Sequence, residues 1–162
     1  MGWKKNYLYW VGVGVALLLG GCSYKTSTDN IYLTIKTPKY RLSDQGFLNI
    51  SPNQKELIIY KEFTPYKITI GKREICESGK CLSKGAFLKK VGLSDYPPET
   101  LDLILEGKPL PFLPSPEGNS TTFIQKNSRF YYQVTKTKIF FRDKKERVLI
   151  SLRKLSPPRG KE

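Results

Sequence analysis

The side chains with the greatest chemical reach in this 162-residue chain are three cysteines, Cys22, Cys76 and Cys81, because no histidine occurs anywhere. Without imidazole there is no Ser-His-Asp or Cys-His nucleophile and no zinc site that needs a histidine ligand. Cys76 and Cys81 stand in ICESGKC, a C-x4-C pair flanking a Ser-Gly turn. Such a pair can bridge as the staple of a hairpin or remain as two thiols. Redox chemistry favours C-x-x-C at a helix start, and a metal site would need two further ligands. The carboxylates offer no better constellation. Asp44, Asp95, Asp102 and Asp143 each fall in a turn or at a helix start, where an acid caps backbone N–H groups. Glu56 and Glu62 flank an apolar run and read as strand-edge charges. A glycine-rich phosphate loop is absent, since Gly12 and Gly14 belong to an apolar leader. The expectation is a protein that is not an enzyme and carries no cofactor and no metal.

That leader spans residues 1–21. Lys4 and Lys5 form a basic start, and the uncharged run YLYWVGVGVALLLGG follows. The run is shorter than the roughly 20 residues of a membrane-spanning helix. It reads as a processing signal, outside the fold. It ends in Leu19-Gly20-Gly21-Cys22, which resembles the lipobox of bacterial lipoproteins. The resemblance implies cleavage between Gly21 and Cys22, a diacylglyceryl group on the Cys22 sulfur, and an N-acyl chain on the new terminus. Two or three acyl chains anchor stably where one does not, at about 0.8 kcal/mol per buried methylene. Ser23, rather than an aspartate, follows the cysteine, which implies release to the outer membrane, facing the periplasm. An ordinary secretory leader with a chance cysteine is the plainer alternative.

Cleavage there would leave a chain from Cys22 to Glu162 that has lost Trp3 and Trp10, its two tryptophans. Two lysines leave as well, and the formal charge falls from +14 to +12. In an oxidising space beyond the inner membrane, Cys76 and Cys81 are expected to form a structural disulfide.

The elements that would carry these groups follow from periodicity. Residues 22–30 are small and polar, a lipidated tether. A single domain is expected over 31–155, and a polar tail, expected to be disordered, over 156–162. Ile31, Leu33 and Ile35 share one face of a strand. Further strands are predicted over 40–50, with a turn at Asp44-Gln45-Gly46, then over 55–62, 66–70 and 72–76. Phe87, Leu88, Val91 and Leu93 recur at near-helical spacing. A second short helix is predicted from Pro97 or Pro98, with Leu101, Ile104 and Leu105 as its stripe and Gly107 as its stop. After the proline-rich PLPFLPSPEG, strands return over 121–126, 129–135, 138–141 and 147–155. The order predicts an α+β fold, a curved antiparallel sheet with two short helices inserted between strand groups.

The stretch DYPPETLDLILEGKPLP, followed by FIQ, RFYYQV and VLISLRKL, resembles the second half of the LolB family, outer-membrane lipoproteins that accept other lipoproteins from a periplasmic carrier. The matching positions are Pro97, Leu101, Leu105, Gly107, Pro109, Gln125 and Tyr132. The resemblance implies a half-open β-barrel whose concave face and helices enclose an apolar cavity for acyl chains. This chain departs from the family's Gly-Trp after the Gln strand, with Lys126-Asn127 there. The family also presents an exposed leucine on an early hairpin loop to deliver cargo. Phe63 is the candidate for that membrane or cargo contact here, unless it belongs to the core.

Two features leave partners open. Lys84, Lys89 and Lys90, and Arg142, Lys144, Lys145 and Arg147, are the densest cation groups. They could meet anionic headgroups, or be a solvated face; nucleic acid is not expected of an exported chain. Phe130, Tyr131, Tyr132, Phe140 and Phe141 alternate on strands, so pleating sends half to the core. Two functions follow. One is a membrane-anchored lipoprotein binding acyl chains or lipoprotein cargo for outer-membrane localisation. The other is a scaffolding lipoprotein of a cell-envelope assembly, working through protein partners.

Overall fold

The computed structural model describes residues 26–155. The Gly21-Cys22 motif and the tail over 156–162 lie outside the described residues. In chain order the elements are β1 (Ser27–Lys36), β2 (Arg41–Ile50), β3 (Lys55–Lys61), β4 (Thr64–Ile70), β5 (Glu74–Glu77), β6 (Lys80–Ser83), α1 (Lys84–Val91), α2 (Thr100–Glu106), β7 (Glu117–Gly118), β8 (Phe123–Lys126), β9 (Phe130–Val134), β10 (Lys138–Asp143) and β11 (Val148–Lys154). All eleven strands join one curved antiparallel sheet in the order β6-β5-β4-β3-β2-β1-β11-β10-β9-β8-β7. The sheet does not close, and β6 and β7 are its edges. This is a mostly-sheet α+β fold.

Strand alternation decides which side is buried. Ile31 and Leu33 on β1, Leu57 and Ile59 on β3, and Val148, Ile150 and Leu152 on β11 all point to the concave side and are buried. The two helices fill that side. Phe87, Leu88 and Val91 of α1 and Leu101, Ile104 and Leu105 of α2 are their buried stripes, at the predicted spacing. The Ser83 hydroxyl accepts from the Ala86 N–H at 3.3 Å to start α1. Gly92 and Gly107 end the helices at φ 81° and 65°, where a residue with a Cβ would be strained.

The structure departs from the sequence reading in five places, the first being that α2 starts at Thr100 and not at Pro97 or Pro98. β2 runs unbroken through Asp44-Gln45-Gly46. Gly46 is there for contact, not for a turn, because a Cβ on it would lie 2.1 Å from the Ile58 carbonyl oxygen. β1 starts at Ser27, inside the expected tether, because ladder bonds to β2 recruit the polar residues Ser27–Asn30. The turn between β3 and β4 is Glu62-Phe63, and Thr64 and Pro65 already belong to β4. β6 and β7 add two strands that the alternation did not reveal, since both are short and exposed.

Candidate functional site

Between the concave sheet face and the helices lies a slot lined by Leu57, Ile68, Ile70, Phe87, Ile104, Ile150 and similar side chains, with Tyr40 the one residue that bears a hydroxyl. Its volume is about 20 Å³, room for little more than one water molecule. Burial, with Glu77 nearby, pushes the Tyr40 hydroxyl up to about 12, so it stays neutral.

At the end of the sheet where β1 begins lies a second space, an open mouth of about 360 Å³. That size falls within the roughly 300–1,000 Å³ of small-molecule sites. Its floor is apolar, formed by Leu48, Ile50, Val134, Ile139 and Leu152, and its rim carries Asp29, Glu106, Lys136 and Lys154. Leu105 of α2 lines both the slot and the mouth. It is the one residue common to the two linings. A neighbouring groove of about 510 Å³ shares Ile50 and Glu106 with the mouth and runs along Ser51-Pro52 to Lys108.

Ion pairs fasten α2 over this space. Lys55 of β3, only 8% exposed, reaches Asp102 at 2.8 Å and Glu106 at 2.6 Å. Lys84 at the start of α1 meets the other Asp102 oxygen at 2.6 Å. Burial disfavours the Lys55 ammonium, but its bonds to Asp102 and Glu106 outweigh that and raise its pKa above the usual lysine value. Burial likewise opposes the Glu106 charge, and Lys108 and Lys55 overcome it, leaving that carboxyl below its usual range. Asp102 is thus a cross-brace between sheet and helices, beyond the helix-start role its position suggested. Lys84 is buried, so it leaves the cation group offered to headgroups, and Lys90 is engaged by Glu77.

The loop after α2 is held by two residues of the family-like pattern. Gln125, 2% exposed, accepts from the Leu110 N–H at 2.8 Å and donates to the Leu110 and Pro114 carbonyls. The Tyr132 hydroxyl donates to the Lys108 carbonyl at 3.0 Å. The Tyr132 bond holds Lys108, which lines the neighbouring groove.

At the opposite end of the sheet, the two-residue turn of the β3–β4 hairpin exposes Phe63 completely. Glu62 and Phe63 take φ of 50° and 68°, as the tight turn between twisted strands requires. Asparagine and glycine adopt that conformation readily; for other residues it costs about 1–3 kcal/mol. Nothing in the fold repays a bare phenylalanine there. The core is not the place of Phe63.

Cys76 and Cys81 face each other as a rung of the β5–β6 hairpin and are joined as a disulfide. Glu74 lies close to both sulfurs, which as a disulfide are not thiolate ligands. Phe63 and the disulfide stand on the same half of the sheet but do not meet the mouth, and Gly21 and Cys22 lie outside the described residues. Leu105 and Lys55 were not legible as site residues, although the apolar stripe had marked Leu105 as core. The chain matches no protein-family model and no curated protein.

Proposed function

We propose that the chain is a lipid-anchored, non-catalytic receptor for acyl chains or lipoprotein cargo at the outer membrane, held there through Cys22 and working by reversible apolar burial. The observation that carries this reading is that Leu105 of α2 lines both the closed apolar slot and the open mouth with its apolar floor. An acyl chain laid on the mouth's floor advances past Leu105 as α2 shifts on its ion pairs. The fit with a LolB-like half-open barrel rests on this arrangement and on Phe63, an apolar side chain projecting from an early hairpin. Phe63 is the contact offered to the cargo or its carrier.

The test is native mass spectrometry of the protein offered an acylated peptide. A stoichiometric adduct that is lost in Leu105→Asp and strengthened in Leu105→Ala supports the receptor. A clean apo mass at saturating ligand rejects it.

One observation favours the second reading, a scaffolding lipoprotein of an envelope assembly. The slot is almost full as it stands, at about 20 Å³. In that case Phe63 is a protein-docking anchor, and its substitution by serine would release a protein partner while leaving lipid binding absent in both forms.

A further inference from the structure

The face of the sheet turned away from the helices has a charge pattern of its own, of which only Lys138 also borders the mouth. From β9, β10, β11, β1 and β2, alternation sends Tyr131, Phe140, Arg142, Leu149, Arg153, Tyr32, Lys36 and Arg41 outward. Cross-strand register sorts the charges into two rows. Arg142 lies opposite Leu149, Leu149 opposite Lys36, and Lys36 opposite Arg41. Lys138 lies opposite Arg153, which lies opposite Tyr32. Arg142 and Lys138 are four positions apart on β10, so the rows stand about 13 Å apart. The row between them, Phe140, Ser151, Thr34 and Ser43, is uncharged.

Three things set this face apart. Lys36, Arg41, Lys138, Arg142 and Arg153 form no ion pair among the described residues. No aspartate or glutamate points outward from these five strands; Asp29, Asp44 and Asp143 fall on the concave side of the alternation. The aromatic rings are half-buried under the cations, with the Lys138 ammonium 4.9 Å from the Phe140 ring centre and the Arg153 guanidinium 5.9 Å from that of Tyr32. Five uncompensated cations on a convex surface cost self-repulsion unless an extended anion covers them. The tyrosine rings among them, Tyr32 and Tyr131, are amphipathic and suit the headgroup zone of a bilayer, where such rings settle.

We infer that this outer face docks on an anionic phospholipid bilayer, the headgroup phosphates covering the two cationic rows and Tyr131 and Phe140 resting among them. The inference stands on this face alone and does not depend on the acyl-chain site.

The full chain, with Phe140 replaced by photoreactive benzoylphenylalanine, is mixed with phosphatidylcholine vesicles or with vesicles also holding phosphatidylglycerol, irradiated and analysed by mass spectrometry. Lipid adducts are expected at position 140 on the anionic vesicles, falling steeply at high salt. Replacing Arg142 and Arg153 by Gln should weaken this docking about thirtyfold, each basic side chain being worth about a factor of five near such a surface. Lys144→Gln with Lys145→Gln, the same charge loss in the β10–β11 turn, should change it far less. Circular dichroism of each variant separates misfolding from lost docking. Equal adducts on both vesicle types, equal adducts from the probe at Tyr60 on the other half of the sheet, or equal losses in the two double variants would each overturn the assignment. So would a DNA oligonucleotide that displaces the vesicles and crosslinks in their place. Cosedimentation with neutral vesicles reports lipid anchoring separately, so failure of the anchor and failure of this face give different results.

Discussion

The Tyr96 hydroxyl donates to Asp143 Oδ2 at 2.5 Å, joining the loop between the helices to the end of β10 across 47 residues of sequence. Arg129 adds bonds of 2.9 and 2.7 Å to the same oxygen, and the Lys145 and Glu146 N–H groups donate to the other. The Asp143 side chain is fully buried. Burial works against its charge, and Arg129, Tyr96 and the turn N–H groups prevail, holding the carboxyl below its usual range. Burial and Asp143 together push the Tyr96 hydroxyl well above its ordinary value.

A carboxyl whose pKa is depressed in the folded state stabilises that state above its unfolded value, about 3.9. The contribution disappears as pH falls through the folded value. Stability followed by urea titration should therefore decline on acidification in the wild type and decline less in Asp143→Asn. At neutral pH, Asp143→Ala should cost about 3–5 kcal/mol, since it strands Arg129 and Tyr96. Tyr96→Phe should cost about 1–3 kcal/mol. An Asp143→Ala variant as stable as the wild type would contradict the network.

Lys55 predicts the opposite dependence. Its raised pKa means that its stabilisation is complete below the unfolded lysine value and is lost as pH rises through the folded one. Lys55→Met should flatten the alkaline limb of the stability profile. It should also loosen α2, seen as faster amide exchange over Thr100–Glu106.

Two glycines should respond with opposite signs. Gly46→Ala drives a methyl into the Ile58 carbonyl and should lower the midpoint of thermal unfolding sharply. A Cβ added at Gly85, inside α1, would meet nothing within 4 Å. Gly85→Ala should stabilise by about 0.5–1 kcal/mol through helix propensity. Calorimetry of the pair checks both.

Replacing Glu62-Phe63 by Asn-Gly should relieve the left-handed strain and stabilise the hairpin by about 1 kcal/mol or more. The same variant should lose cargo transfer measured with an acylated peptide. A variant both more stable and fully competent would remove Phe63 from the proposed function.

Reducing the disulfide should have a modest effect. A loop this short contributes roughly 2 kcal/mol in the chain-entropy picture. The Cys76 and Cys81 rung lies on the short β5–β6 hairpin at the sheet's edge. Reduction should fray that hairpin, as read by exchange over Glu74–Ser83, and leave the central strands protected.

Much of this architecture was legible where one period dominated. The alternation of Val148, Ile150 and Leu152, and the stripe Leu101, Ile104 and Leu105, fixed both faces of β11 and α2. Gly107 marked the helix stop by its backbone freedom. The signal failed where a residue's job is set by a distant neighbour. Gly46 looked like a turn because its contact, the Ile58 carbonyl, belongs to another strand. Asp143 caps its turn as its position suggests, but its Arg129 partner, like the lysines of Asp102, comes from elsewhere in the chain and leaves no local signal. Phe63 was ambiguous because nothing in its neighbours tells whether a hairpin tip turns inward. The slot and mouth were invisible for the same reason: spaces are properties of packing, and the sequence records only their walls.

The first and last strands are neighbours at the middle of the sheet. Ile31 pairs with Lys154, and the Leu155 N–H donates to the Asn30 carbonyl. The seam between the two halves is therefore made by the residues synthesised farthest apart. β1 to β6 can zip as a run of hairpins while the rest is still emerging, but β1 keeps a bare edge until β11 arrives. A ribosome that has released everything except β11 still holds a sheet in two unjoined halves. Joining the halves is a single late event, and a break in the chain just before Val148 would separate them from the strand that links them.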